Sequence, residues 1–464
     1  MKQNLKIQTV FFIITAMLLF IIQSCGEAVN PNQTDRIIVI GGGLMGSATA
    51  WELSQRGYEV LLLEKQDSIY TEGSSFGEAR IARSNNRGND IWSYLHNTSV
   101  DLTNDLIDFL NEVDGSASYK MEDIYNTSPV TYVGTSRIYD QIMASVKRQK
   151  IDSKIALGPE EGREMFDISL IDDILLQQEY RKHSGTINPH QLITYLHQGI
   201  KKHGNEIRYQ SQVEELNYDS QSELYEIEVN SNGTEEILKA SKVISAAGPY
   251  NGPLLKNVAP YFDSLINPER VFLAFLKIDP EVYESLNEAQ KEKIENFYPV
   301  INSSRGTRET SFFSMVEYYD ENDHPIIKIG GHFQRSAIDN LDEIWKKELS
   351  EEEIDWSVTS THYYFDMLEI PVEREDFILY DGYSCVYSLT SNEIPYITPI
   401  ITKEEKANTD VIVLGGLSGV GAKGAMSYGM IAANMMDGET KSDSLYQVIE
   451  REMGFERLKK DVLK

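Results

Sequence analysis

The stretch from Arg36 to Lys65, RIIVIGGGLMGSATAWELSQRGYEVLLLEK, constrains the fold of this chain more than any other. An apolar strand runs into a glycine turn, an amphipathic helix follows, and a second apolar strand ends in Glu64. Gly41, Gly43 and Gly46 form G-x-G-x-x-G, and Glu64 comes about 20 positions later, the arrangement of a dinucleotide site in an α/β fold. Gly41 permits the tight turn, and Gly43 lets backbone N–H groups approach a pyrophosphate at the helix N-terminus. Gly46 allows the helix to pack close on the strand, and Glu64, followed by Lys65, can accept hydrogen bonds from an adenosine ribose. A glycine turn used only for packing is the plain alternative, but it does not call for the whole strand-turn-helix-strand context. The motif does not separate FAD from NAD.

Upstream, the chain opens on the cationic leader MKQNLKIQTV and an apolar run from Val10 to Ile22 broken only by Thr15. These thirteen residues are too short to span a bilayer comfortably and fit the apolar core of a signal peptide. Ile22-Gln23-Ser24-Cys25-Gly26 then resembles the lipobox of bacterial lipoproteins, with Gln23 the departure from it. Residues 1–25 are therefore expected to be a lipoprotein-type signal peptide with Cys25 lipidated, and 26–34 a tether. The expected location is that of an exported bacterial lipoprotein, anchored to a membrane and facing the periplasm or the cell surface. An uncleaved anchor and an ordinary secretory signal are the alternatives. Either way Cys25 belongs to processing, and Cys385, the other of two cysteines, has no disulfide partner. A formal charge of −29 argues against nucleic acid or an anionic membrane surface as partners. No metal site is expected.

Four further segments carry chemistry-bearing residues. Gly73-SSFGEARIARSNN-86 holds Ser74 and places Arg80 and Arg83 three apart, on one face if the segment turns as a helix; a solvated basic face is the plain alternative. Pro325-IIKIGGHFQ-334 puts Lys328 inside an apolar strand, with His332 on the same side by period two. Lysines at such positions are more often at an edge or snorkelling. Asp410-VIVLGGLSGVGAKGAMSYGMIAANMM-436 is a strand, a turn with Gly416, Gly419 and Gly421, and a helix whose first turn holds Lys423, where a cation opposes the helix dipole. DGYSCVYSLTSNEIPY, residues 381–396, sets Cys385 two before Tyr387; by itself this reads as a buried, inert thiol.

In their order along the chain, with Lys242-VISAAGPYN-251 and its Gly248 among them and Cys385 upstream of the last glycine turn, the segments resemble the monomeric sarcosine oxidase and N-methyltryptophan oxidase-like family of D-amino-acid-oxidase-type FAD-dependent oxidoreductases. The similarity rests on G-S-x-x-G-x-x-R-I-x-R, K-x-G-x-H, C-x-Y and G-x-S-G-x-G-x-K together with the dinucleotide motif, and covers about residues 36–440. It implies a discontinuous Rossmann-like FAD-binding domain (35–92, 180–255 and 381–440) and a substrate domain on a mixed antiparallel sheet (93–179 and 256–380), followed by a tail, 441–464. It further implies oxidation of a secondary-amine, sarcosine-like amino acid to an imine, with oxygen reduced to hydrogen peroxide. In that scheme Arg83 and Lys423 hold the substrate carboxylate and Lys328, supported by His332, activates oxygen. Tyr387 lines the substrate pocket, Arg80 orders the flavin environment, and Cys385 carries FAD as a thioether. A monomer is expected. The family's histidine pair is replaced here by Ser75 and Phe76, so contacts near the flavin must differ. Two other readings stay open: a dehydrogenase passing electrons to a quinone or carrier, and a non-catalytic amino-acid-binding flavoprotein.

Overall fold

Ile37–Ile40 and Val60–Leu63 are buried along their whole length, and the reason is that both faces of their sheet are covered. Ile37 and Val39 pack against helices, whereas Ile38 and Ile40 pack against a second sheet on the opposite side. The computed structural model describes residues 35–463 apart from 69, 85–89, 339 and 342–347. The leader, the tether and Cys25 lie outside the described residues.

The first sheet has six strands in the order Tyr396–Ile401, Ala407–Gly415, Lys242–Ser245, Ile37–Ile40, Val60–Leu63 and Glu206–Arg208. All neighbours are parallel except the Tyr396–Ile401 edge strand. Helices Leu44–Gln55, Ile91–Asp114, Pro189–Lys202 and Ala425–Asp437 cover one face. The other face carries the antiparallel strands Ser211–Asp219, Leu224–Ser231 and Thr234–Ala240. The second body is a nine-stranded mixed sheet in which Val300–Asn302 runs parallel to Val130–Thr135 and every other pair is antiparallel. Helix Glu351–Leu368 covers one side of it, begun by a Ser350 and Glu353 capping box. Strand Pro325–Gly331 alternates accordingly: Ile327 and Ile329 face that helix, while Ile326 packs with Cys385 on the side that Lys328 shares.

The expected α/β architecture with a mixed second sheet is present, but three boundaries move. Residues 93–127 belong with the nucleotide-binding body, because Leu95, Leu106 and Leu110 of helix Ile91–Asp114 join its core. The strand Phe377–Leu389, which contains Cys385, pairs along Asn267–Ile278 and so belongs to the nine-stranded sheet up to Leu389. The expected tail folds as helices Ser444–Met453 and Phe455–Val462, which bury Tyr446, Ile449 and Leu458.

Candidate active site

The dinucleotide turn is built as its glycines require. Gly41 has φ +98°, and a Cβ there would lie 2.5 Å from the Ala246 carbonyl oxygen; a Cβ on Gly46 would lie 1.8 Å from the Gly41 oxygen. Gly43 caps helix Leu44–Gln55 without a side-chain hydrogen bond, and the Leu44 N–H donates to Ser75 Oγ at 3.1 Å. Glu64 accepts the Gly42 N–H at 2.7 Å and the Gln66 N–H at 2.8 Å. Burial pushes its carboxyl pKa up, against the pull of those two donors. Lys65 lies over the Tyr250 ring, 4.3 Å from its centroid.

From this turn a cavity of about 930 Å³ runs between the two sheets. Its lining includes Gly41, Gly43, Glu64, Lys65 and Gly248 from the dinucleotide side, and Ser74, Arg80, Arg83, Lys328, Cys385, Tyr387 and Lys423, with Gly416, Gly419 and Gly421. Gly46 does not face it, since its role is packing.

Arg80 and Arg83 do not share a face. Residues Arg80–Ala82 form a strand paired with Gly185–Ile187 rather than a helical turn, so positions three apart point to opposite sides. Arg80 donates to the carbonyls of Ala79 at 2.8 Å and Ser74 at 3.3 Å, and to that of Phe76, which fixes it beside Cys385. On the same side the Lys328 ammonium, fully buried, donates to the Ala79 carbonyl and forms an ion pair with Glu317. Glu317 also accepts the Glu78 N–H at 2.6 Å. Burial and Arg80 pull Lys328 down to about 7, with Glu317 opposing. Burial disfavours the Glu317 carboxylate, yet Lys328 and Arg80 outweigh it and hold its pKa low.

Tyr383, Cys385 and Tyr387 stand on one face of their strand, at alternate positions. Burial pushes the Cys385 thiol up, while Arg80 and Lys328 pull it down. The Ser74 hydroxyl donates to the neighbouring Val386 carbonyl at 3.0 Å. Tyr387 sits against the glycine turn, where a Cβ on Gly419 would come within 2.9 Å of its ring.

Arg83 and Lys423 meet on the far side. Lys423 lies in a short 3-10 turn, Ala422–Gly424, ahead of the helix Ala425–Asp437 rather than within it, because the chain bends before the helix begins. It is 6% exposed, with its ammonium 5.4 Å from the Trp92 ring centroid. The Arg83 guanidinium lies 6.0 Å from that of Tyr132. Neither cation has a hydrogen-bonded or ion-pair partner among the described residues. Burial and Arg83 lower Lys423 to about 7, and buried Glu179, held by the Ser84 N–H at 2.8 Å and Ser184 Oγ at 3.0 Å, partly offsets this. A buried cation and a partly buried one, side by side without a direct partner, are suited to receive an anion.

His332 stands at the mouth, where this cavity adjoins a second one of about 540 Å³. Its Nδ1 meets Arg335 Nη1 at 2.6 Å, and burial, then Arg335 and Arg308, lower it to about 4, so the ring is neutral. Its hydrogen-bond partner is thus Arg335, while the partner of Lys328 is Glu317. Neither Glu317 nor Glu179 belongs to a motif. The trace of Glu317 in the sequence is an acid within the apolar FFSMVEYY run, a short turn before the strand of Lys328.

These residues fit FAD. The glycine cradle admits no Cβ at Gly41, the helix behind it begins at a glycine that offers no side-chain cap of its own, and the cavity continues to a face lined by a thiol and cations. The family profile described as FAD dependent oxidoreductase (DAO) matches residues 36–435. The chain is 22% identical over 229 residues to peroxisomal sarcosine oxidase of Homo sapiens, covering 47% of this chain and 52% of that one. It is 55% identical over 47 residues to monomeric sarcosine oxidase of Streptomyces avermitilis, 10% of this chain and 12% of that one. The chain thus spans about half or less of the length of these relatives. In fold it is similar to NikD, an amino acid oxidase essential for nikkomycin biosynthesis, at a TM-score of 0.65 and 17% identity over 89% of this chain and 96% of that one.

Proposed function

The chain belongs to the FAD-dependent oxidoreductase family, and from that premise we propose that it oxidises an amino acid bearing a secondary amine, sarcosine-like, to an imine. Oxygen then takes up two electrons and two protons and leaves as hydrogen peroxide. The observation that carries this reading is the pairing of a partly buried Arg83 with a buried Lys423, without a direct carboxylate partner among the described residues and at the same cavity as Lys328. The two cations bind and orient the substrate carboxylate by charge-assisted hydrogen bonds. With the carboxylate held, the carbon beside the amine is presented to the cavity between Cys385 and Tyr387. FAD, when bound, supplies the two-electron acceptor. Lys328 provides fixed positive charge where negative charge develops on oxygen, an electrostatic contribution made in a site shielded from water.

The test is an anaerobic screen of carboxylated amines, both N-methyl and cyclic, for bleaching of the flavin spectrum, followed by admission of air and peroxide assay. Bleaching with recovery and stoichiometric peroxide is expected. Bleaching that recovers only with an added dye would move the function to a dehydrogenase, and no bleaching with any amine would remove the oxidative role.

Attachment of FAD through Cys385 is part of the same proposal. Arg80 and Lys328 favour the thiolate that such a bond needs, against the burial that disfavours it. Acid denaturation is expected to leave yellow colour on the polypeptide, and Cys385→Ala to release it into the supernatant; free flavin from the native chain would end the idea. Lipid anchoring through Cys25 belongs to the proposal as well, and mass spectrometry of the mature N-terminus decides it.

A further inference from the structure

Lys328 has a dedicated carboxylate. Glu317 and Lys328 lie on adjacent strands, Phe312–Tyr319 and Pro325–Gly331, 11 positions apart in sequence. The ladder between them pairs Val316 with Ile327 and Tyr318 with Ile326, so Glu317 is the extra residue of a β-bulge. A bulge disrupts the ladder locally and redirects the side chain it carries. Here that side chain meets the Lys328 ammonium, and the segment around Gly77 closes on it: the Glu78 N–H donates to its other oxygen at 2.6 Å. A Cβ on Gly77, which has φ +102°, would come within 2.9 Å of that oxygen, so the covering chain has room for little else. A carboxylate with 2% of its side chain exposed is expensive to bury and is retained only with such partners.

We propose that Glu317 is a positioning residue that keeps Lys328 protonated and turned into the cavity, so that Arg80, Lys328 and Glu317 together present one net positive charge there. The proposal rests on the reading of Lys328 as the cation that serves oxygen. The other titratable groups acting on Lys328 are Cys385 on the strand Phe377–Leu389 and Arg80 on the segment that covers it, with Tyr383 beside Arg80 and Glu317 and Tyr387 beside Cys385 and Arg80. Burial and Arg80 both disfavour charge on Lys328, and Glu317 is the principal group opposing them. Without it the ammonium would lose its proton at lower pH and this side of the cavity would keep only Arg80, which backbone carbonyls hold in place.

The experiment uses the flavin-loaded protein in native form and as Glu317→Gln, Glu317→Asp and Lys328→Met. The visible spectrum of the oxidised flavin is titrated with pH, and separately the flavin is reduced with dithionite and its reoxidation by oxygen is timed across the same range. The native spectrum should show a step that Lys328→Met abolishes. Glu317→Gln, which keeps the side-chain size and an oxygen for the Glu78 N–H, should move that step about one to three pH units to the acid side. Reoxidation of this variant should then slow by roughly tenfold per pH unit between the two midpoints and match the native rate in acid. Glu317→Asp, which keeps the charge but draws it back by a methylene, should give a smaller shift in the same direction. Superimposable native and Glu317→Gln titrations overturn the proposal, and if the Gln variant fails to retain flavin, an unmoved Asp midpoint does so. An oxygen rate that survives Lys328→Met would instead remove the role of Lys328, while the position of the spectral step still decides what Glu317 does.

Discussion

Replacing Lys423 with Met is expected to raise the KM for a carboxylated amine about 10- to 100-fold, the equivalent of one charge-assisted hydrogen bond lost from a buried site. Flavin content should change little, because the Gly41 turn and Glu64 that hold the dinucleotide are built by backbone contacts in which Lys423 takes no part. An unchanged KM removes the assigned role. The same lysine carries a pH signature. Its folded pKa is lowered to about 7 by burial and by Arg83, so it holds its charge below that value and loses it as pH rises through it. Carboxylate affinity therefore falls on the alkaline side. The substrate amine makes the opposite demand, since only its neutral form can be oxidised and that form grows with pH. A bell-shaped profile of kcat/KM follows, and its alkaline limb should flatten in Lys423→Met, where Arg83 alone remains and does not titrate in that range. A native profile that keeps rising through alkaline pH would show that this ammonium does not bind substrate.

The second large effect is expected at Lys328. Lys328→Met should slow reoxidation of the reduced flavin by oxygen by about 100- to 1000-fold, the usual cost of removing a preorganised electrostatic group from a water-excluded site. Anaerobic bleaching by substrate should be almost unaffected, which separates the acceptor half of the reaction from the substrate half. A structural cost comes with it. The variant leaves Glu317 buried without its counter-ion, and breaking a buried pair in this way destabilises by about 3–5 kcal/mol. The double variant Lys328→Met with Glu317→Gln should recover most of the thermal stability but none of the oxygen rate. Recovery of both would mean that the slow rate came from a damaged fold.

Much of this molecule can be read from contiguous residues. The turn Gly41-Gly42-Gly43 and Gly46 work through their own backbone conformation and through one neighbouring strand, so spacing alone identifies them. The apolar runs 37–40 and 60–63 announce strands buried on both faces, and the structure buries them so. Alternation likewise puts Cys385 and Tyr387 on one face, where both are found. Other features were illegible for definite reasons. Arg80 and Arg83 look like a helical pair because three-residue spacing fits a helix, but pairing with Gly185–Ile187 makes the segment a strand and sends them apart. Helix Ile91–Asp114 looks like the start of a second domain, and only the packing of Leu95, Leu106 and Leu110 assigns it to the first. The helices after residue 443 carry no motif at all; their apolar stripes matter because a core is there to receive them.

The charge pattern of the cavity divides in the same way. The sequence by itself marked the candidate residues and determined that a dinucleotide unit opens the described part of the chain, since those depend on local backbone geometry and side-chain type. Tertiary structure alone decided how the charges are shared: Lys328 with Glu317 through a one-residue bulge, Lys328 with the Ala79 carbonyl across 249 positions, Arg83 beside Lys423 with Glu179 near both. The physical reason is that a local turn is specified by neighbours along the chain. The state of a buried ion depends instead on which distant segments come within a few ångströms of it and exclude water.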